Sequence, residues 1–222
     1  MAIHAVVFDV NETLFSLAPV RDRMVEVGLG ADRLEPWFRA ILVDGIAAAA
    51  AGRFVAFPDL ARHHLDVELR RGGQPADDAT IARVLAGFEQ TTPHDDVGPA
   101  FEQLRSAGVR IATLTNGTAA ITRAFLERCD LDVLVDEVWD VEAAGSWKPT
   151  PAPYHWAVER LGLPADRVAM VAVHPWDIQG AMATGLVGAF LERPGAAGYP
   201  SGFPRPDHRA ASLTDLVARL AT

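Results

Sequence analysis

The chain opens on Ile3-His4-Ala5-Val6-Val7-Phe8, a short, largely apolar run rich in β-branched residues that stops at Asp9. Such a run predicts a strand buried on both faces, as in a parallel sheet, with a carboxylate presented at its C-terminal end. Between about Phe15 and Gln90 the period of the apolar positions changes. They recur at helical spacing as Val20, Met24 and Val27; as Leu34, Trp37, Phe38, Ile41 and Leu42; as Leu60, His64, Leu65 and Leu69; and as Ile81, Val84, Leu85 and Phe88. Gly28-Leu29-Gly30, Gly52, Pro58 and Arg71-Gly72-Gly73 break this stretch into about four helices. The alanine run from Ala47 to Ala51 reads as helix propensity inside one of them.

After this helical stretch the two periods alternate. The pattern predicts strands over 109–114, 131–135, 168–173 and 186–191. Helices are predicted over 97–107, from the Asn116-Gly117 turn to about 128, and over 151–161, 178–184 and 212–220. The Pro- and Gly-rich segment 193–208 reads as an irregular surface loop. Alternation of this kind argues for an α/β fold with a doubly wound parallel sheet and right-handed crossovers. In such sheets ligands bind outside the carboxyl ends of the strands.

Half of the residues are hydrophobic and 22% are charged, a balance suited to a globular chain with an ample core. The net charge of −9 disfavours nucleic acid and anionic membrane as partners. The stretch 178–191 is uncharged for only 14 residues and is interrupted by glycine, short of the roughly 20 apolar residues that a membrane-spanning helix needs. Cys129 is the single cysteine, so neither an internal disulfide nor a cysteine zinc site is expected. These features, with no signal-type run before Asp9, lead to the expectation of a cytoplasmic protein. One asymmetry stands out: 19 of the 20 basic residues are arginine, and Lys148 is the only lysine.

Asp9, Thr115, Lys148 and Asp177 all fall at the predicted strand ends or in the loops that follow. A carboxylate such as Asp9 is a competent nucleophile when it is oriented and its charge is compensated; alone, it reads equally well as a turn or cap residue. Thr115 and Asn116 could donate hydrogen bonds to an anionic substrate or to developing charge, or simply form an Asn-Gly turn. The compact ammonium of Lys148 could approach two carboxylates, Asp9 and Asp177, where the planar fork of arginine could not. Asp177 would then orient Lys148, the alternative being an ordinary residue in the first turn of a helix. Tyr154 either reaches the same site or packs in the core. His174 reads either as a neutral imidazole that activates water near Asp9, or as a histidine bonded to backbone in a proline-containing turn. His63-His64 has no matching acid cluster and reads as a packing or solvated pair.

Four motifs in order, Val7-Phe8-Asp9-Val10-Asn11-Glu12-Thr13-Leu14, Leu114-Thr115-Asn116-Gly117, Lys148-Pro149 with Tyr154, and His174-Pro175-Trp176-Asp177, resemble those of the haloacid dehalogenase superfamily over nearly the whole chain. The six-residue spacing of Lys148 and Tyr154, with Trp176-Asp177, is similar to the type II, L-2-haloacid dehalogenase-like branch. The resemblance implies a Rossmann-like core over 1–14 and 92–222 and a helical cap over 15–91. The cap stretch carries a net charge of −2 and the remainder −7. It also implies an Asp9 nucleophile forming an ester that water hydrolyses, a small organic acid as substrate, no cofactor, and a homodimer.

The chain departs from both activities of the superfamily. The phosphatases' second aspartate is replaced by Asn11, and their magnesium-ligating acid by Val173, so a Mg²⁺-dependent phosphatase is the weaker expectation. The dehalogenases' tyrosine after the nucleophile is also Asn11. Their halide-cradling arginine follows a tryptophan, whereas here Trp37 is followed by Phe38 and then Arg39. Their fourth-motif serine and asparagine become Ala172 and His174. Asn11, Thr115, Asn116, Phe38, Arg39 and Tyr154 are the expected substrate contacts. Phe38 is read either as lining a dry pocket with Trp37 and Phe15 or as cap packing. Glu12 stands where the family usually has a small residue and is expected to narrow the pocket or cap a backbone amide. A non-catalytic binding protein on the same scaffold is the reading outside enzymes.

Overall fold

The structure, a computed structural model, describes residues 2–194 and 198–221. Its first strand, β1 (Ala5–Phe8), is buried at every position, as a central parallel strand must be. It pairs with β2 (Arg110–Thr115) on one side and β4 (Val168–Ala172) on the other. β3 (Glu137–Asp140) extends the sheet beyond β2, and β5 (Val187–Leu191) and β6 (His208–Ala210) extend it beyond β4. The order is β3-β2-β1-β4-β5-β6, parallel throughout the described residues. The direction of winding reverses between β1 and β4, which is the switch point where doubly wound sheets hold their ligands.

Between β1 and β2 lie α1 (Ala18–Glu26), α2 (Leu34–Ala50), α3 (Phe57–Arg71), α4 (Asp78–Leu85) and α5 (Val97–Ser106). The first four form the helical cap. Then α6 (Ala119–Arg128), α7 (Pro151–Leu161), α8 (Pro175–Ala183) and α9 (Leu213–Leu220) complete the helices of the described residues. Their starts follow simple chemistry. Proline sits in the first turn of α1, α3, α7 and α8, where its missing N–H costs nothing. Asp77 and Ser212 accept the backbone N–H of Thr80 and Asp215 to cap α4 and α9.

Right-handed crossovers from β1 to β2 and from β3 to β4 run in opposite directions across the sheet, so α5 and α7 cover opposite faces. α5 packs against α9, and α7 against α8. The cap meets this core through aromatic contacts. Trp147, fully buried in the loop before α7, donates its indole N–H to the Val55 carbonyl at 2.8 Å and stacks on Phe57 at 6.2 Å. Gly45 of α2 lies directly over that indole, and a Cβ there would come within 2.4 Å of it.

Two expectations for the sheet are corrected. The apolar run 131–135 is not a strand: Asp132–Leu134 is a 3-10 turn, and the strand follows it at Glu137–Asp140. β3 is an edge strand with one buried residue in four, so its sequence lacks the apolar signature of an inner strand. The Pro- and Gly-rich segment also yields a short edge strand, β6, at its end; residues 195–197 of that segment lie outside the described residues.

Candidate active site

Asp9 follows β1 directly, and its backbone N–H bonds to the Val171 carbonyl of β4 at 2.9 Å. Its side chain is therefore set at the switch point between the two strands. Lys148 Nζ donates to Asp9 Oδ1 at 2.9 Å, to the Leu114 carbonyl at 2.7 Å and to Asp177 Oδ2 at 2.6 Å. Lysine and both carboxylates are buried. Thr13 donates to Asp9 Oδ2 at 2.8 Å, and its oxygen accepts the Val173 N–H at 3.2 Å, joining the first loop to the fourth.

Asp177, in the first turn of α8, is held from the far side. Tyr154 of α7 donates to Asp177 Oδ1 at 2.6 Å. Gly180 makes room for this contact: a Cβ there would come within 2.8 Å of the Tyr154 hydroxyl and 2.7 Å of the Pro149 carbonyl oxygen. Asn116 fixes the Lys148 backbone from both ends. Its Oδ1 accepts the Lys148 N–H at 2.9 Å, and its Nδ2 donates to the Lys148 carbonyl at 3.2 Å, across a cis Lys148-Pro149 peptide. Thr115 Oγ1 accepts the Gly117 N–H at 2.9 Å, which leaves its own O–H to donate. Asn11 is buried beside the same turn.

His174 bridges two carboxylates. Nδ1 lies 3.0 Å from Asp9 Oδ2, and Nε2 lies 3.1 Å from Glu12 Oε2. The ring stacks on Trp176 at 5.1 Å and has Phe38 of α2 at 6.4 Å. An ionised carboxylate only accepts hydrogen bonds, so both ring nitrogens must donate, and the geometry itself describes an imidazolium. Burial disfavours that cation, but the bonds to Asp9 and Glu12 and their charges outweigh it, and the pKa is pushed up to about 9. The alternative expectation, a histidine bonded to backbone in a turn, is corrected: both ring nitrogens face side-chain carboxylates.

The same charges act on Asp9. Burial opposes its ionisation, yet Lys148 and His174 hold its carboxyl well below the usual range. Burial and the charge of Asp9 raise Asp177, and Lys148 works against both. Burial would strip the proton from Lys148, and the two aspartates more than reverse this. Burial and the neighbouring Asp177 push Tyr154 well above its ordinary value, so it is a neutral hydrogen-bond donor.

The structure thus gathers Asp9, Asn11, Thr115, Asn116, Lys148, Tyr154, His174 and Asp177, with Phe38 above them. It does not bring Arg39 to this cluster. That side chain is 71% exposed, pairs with Glu35 one helical turn away, and borders a surface groove of about 500 Å³ with Asp44 and His64. The helix turns about 100° per residue, so when Phe38 faces inward Arg39 faces out. Trp37 and Phe15 belong to the core: Trp37 donates to the Ala61 carbonyl at 3.0 Å, and Phe15 packs edge-on to Phe125. Within the His63-His64 pair, His64 bonds Asp44 at 2.9 Å. Sequence reasoning missed Thr13 and the Leu114 carbonyl as site members. The threonine's four-residue spacing from Asp9 was a usable signal; the carbonyl had none.

A hard dication such as Mg²⁺ needs several oxygen ligands. Here the ammonium of Lys148 already stands between Asp9 and Asp177, and Val173 supplies no side-chain oxygen. The residues present do not fit that ion.

A buried, charge-compensated carboxylate at the switch point of a parallel sheet, beneath a helical cap, defines a hydrolase of the α/β class. The chain belongs to the haloacid dehalogenase-like hydrolases, whose family model matches residues 3–185. It is 27% identical over 224 residues to (S)-2-haloacid dehalogenase 4A of Burkholderia cepacia, covering 99% of this chain and 96% of that one. Among solved structures, L-2-haloacid dehalogenase from Xanthobacter autotrophicus is similar at 25% identity and a TM-score of 0.88, covering 97% of each chain. A dehalogenase solved with an intermediate complex is similar at 26% identity and a TM-score of 0.90, covering 100% of this chain and 98% of that one.

Proposed function

We propose that this protein is a metal-independent 2-haloacid dehalogenase. An oxygen of Asp9 attacks C2 of a small 2-haloacid; the C–O bond forms as the carbon–halogen bond breaks, and halide leaves. Water then cleaves the ester to give the 2-hydroxy acid. The observation that carries this reading is the buried Lys148 ammonium between Asp9 and Asp177, which keeps Asp9 ionised without a metal. Thr13 fixes the other oxygen of Asp9. Thr115 and Asn116 stand where a substrate carboxylate would be held, and Tyr154 acts through Asp177. With Arg39 turned outward, the buried Lys148 ammonium beside Asp9 takes over attraction of the acid and of the departing halide.

The relatives named as 2-haloacid dehalogenases support this substrate class, and the replacements Asn11 and Val173 weigh against Mg²⁺-dependent phosphoester hydrolysis. We further propose that residues 15–91 act as the cap of a core over 1–14 and 92–222, that the protein works as a homodimer, and that its acidic composition and single cysteine suit the cytoplasm. The test is a panel of 2-haloacids and an aryl phosphate, with and without Mg²⁺. Halide release that ignores Mg²⁺ and falls on the order of 10³-fold or more in Asp9→Asn is expected. Mg²⁺-dependent phosphate release, or full activity of Asp9→Asn, overturns the reading.

A further inference from the structure

We propose that His174 and Glu12 form a base pair for ester hydrolysis that is switched on by formation of the ester at Asp9. This rests on the reading of Asp9 as the nucleophile. In the resting protein His174 spends both N–H groups on carboxylates, Nδ1 on Asp9 and Nε2 on Glu12. It has no lone pair with which to accept a proton. Once Asp9 is esterified, its charge is gone and its oxygens accept hydrogen bonds only weakly. One of the two groups that kept the ring protonated has then vanished, while Glu12 remains.

The imidazolium thereupon loses the Nδ1 proton to solvent, which its 14% exposed side chain can reach. Glu12 keeps the proton on Nε2, so the tautomer left behind points a lone pair at the Asp9 carboxyl. Stacking on Trp176 and contact with Phe38 keep the ring in that plane. The charged groups around the ring are few. Asp9 and Glu12 face it from the loop after β1, with Lys148 beyond Asp9. Behind Glu12, His94 approaches the Glu12 carbonyl and Arg193 bonds that of Thr13. Phe38 is the cap residue beside it, and the N-terminus of α8, which begins after His174, favours the neutral ring.

The step balances. Neutral His174 takes one proton from water as the oxygen bonds to Asp9 Cγ. The bond from Cγ to the alkoxide oxygen breaks, and His174 returns that proton to the alkoxide. Asp9 is left as a carboxylic acid beside Lys148 and passes its proton to His174, restoring the resting ion pair. The proton shed at the ester stage is the one that accompanies halide in the net hydrolysis. His174 is the catalytic residue here, and Glu12 acts through it as a positioning residue.

The test follows one turnover of a 2-haloacid by rapid quench, with halide measured alongside the intact mass of the protein. His174→Ala is expected to release about one equivalent of halide and then stall as the ester, with hydrolysis slowed about 10²- to 10⁴-fold. Glu12→Gln is expected to keep the burst, slow hydrolysis and move the acidic limb of its pH profile to lower pH, because a negative charge beside the imidazolium is lost. Wild-type hydrolysis in His174→Ala, or an unmoved limb in Glu12→Gln, overturns the pair; the second arm decides alone if His174→Ala does not fold. A wild-type protein that forms neither halide nor ester overturns the Asp9 reading itself, and the pair with it.

Discussion

Lys148 Nζ has three hydrogens, and the structure gives it three acceptors: two carboxylate oxygens and a main-chain carbonyl. An arginine would need more room and a flat partner, so Lys148→Arg should abolish halide release even where the chain still folds. Lys148→Met should do so too and, by leaving two buried carboxylates without their cation, lower stability by about 3–5 kcal/mol in urea titrations. His174 gives a prediction of opposite pH sense to the usual acid lability. Its folded pKa of about 9 lies above the ordinary 6.5, so its contribution is complete below pH 6.5 and is lost as pH rises through 9. That contribution is about 3 kcal/mol at most. Urea titrations across this range should show the decline in the wild type and a flatter profile in His174→Ala. Glu12 occupies a left-handed backbone conformation at φ 64°. For Glu12→Gly, relief of that strain is offset by the chain entropy of glycine and loss of the His174 contact, each roughly 1 kcal/mol. The net loss of about 1 kcal/mol should lower the melting temperature by only about 2–4 °C while ester breakdown slows.

At the scale of elements, the inner strands and most helices were legible because burial on both faces forces continuous apolar runs, and amphipathic helices repeat every three to four residues. β3 and β6 escaped because edge strands need neither. Among the site residues, Asp9, Lys148 and Asp177 were legible as charges at strand ends. The protonation of His174 was not, since it depends on Glu12, which only the left-handed turn brings round to the second ring nitrogen. Arg39 was ambiguous for want of a helix phase, which Trp37 and Phe38 fix only once the cap is seated. That seating has a narrow tolerance at Gly45. Gly45→Ala forces α2 off the Trp147 indole and should cost about 1–3 kcal/mol, visible as a lowered melting temperature. Phe38 rides on the same helix, so ester hydrolysis should fall with it while Asp9 and Lys148 stay paired.

The molecule as a whole carries a net charge of −9, and the proposed substrate is an anion. The long-range field therefore repels what the buried cations attract. Salt screens the former over about 10 Å at 0.1 M and leaves the latter nearly untouched. The kcat/KM for a 2-haloacid should rise a few-fold between low and physiological ionic strength, the reverse of an electrostatically steered enzyme. No helix among the described residues is long and apolar enough to cross a membrane. The placement of the one lysine has a practical side. An acylating reagent that seeks side-chain amines finds a single one in this chain, sealed between two aspartates. Covalent tagging of Lys148 can then proceed only as fast as the loops around it part, so the tagging rate becomes a clock for the breathing of the site, and a bound haloacid should slow it.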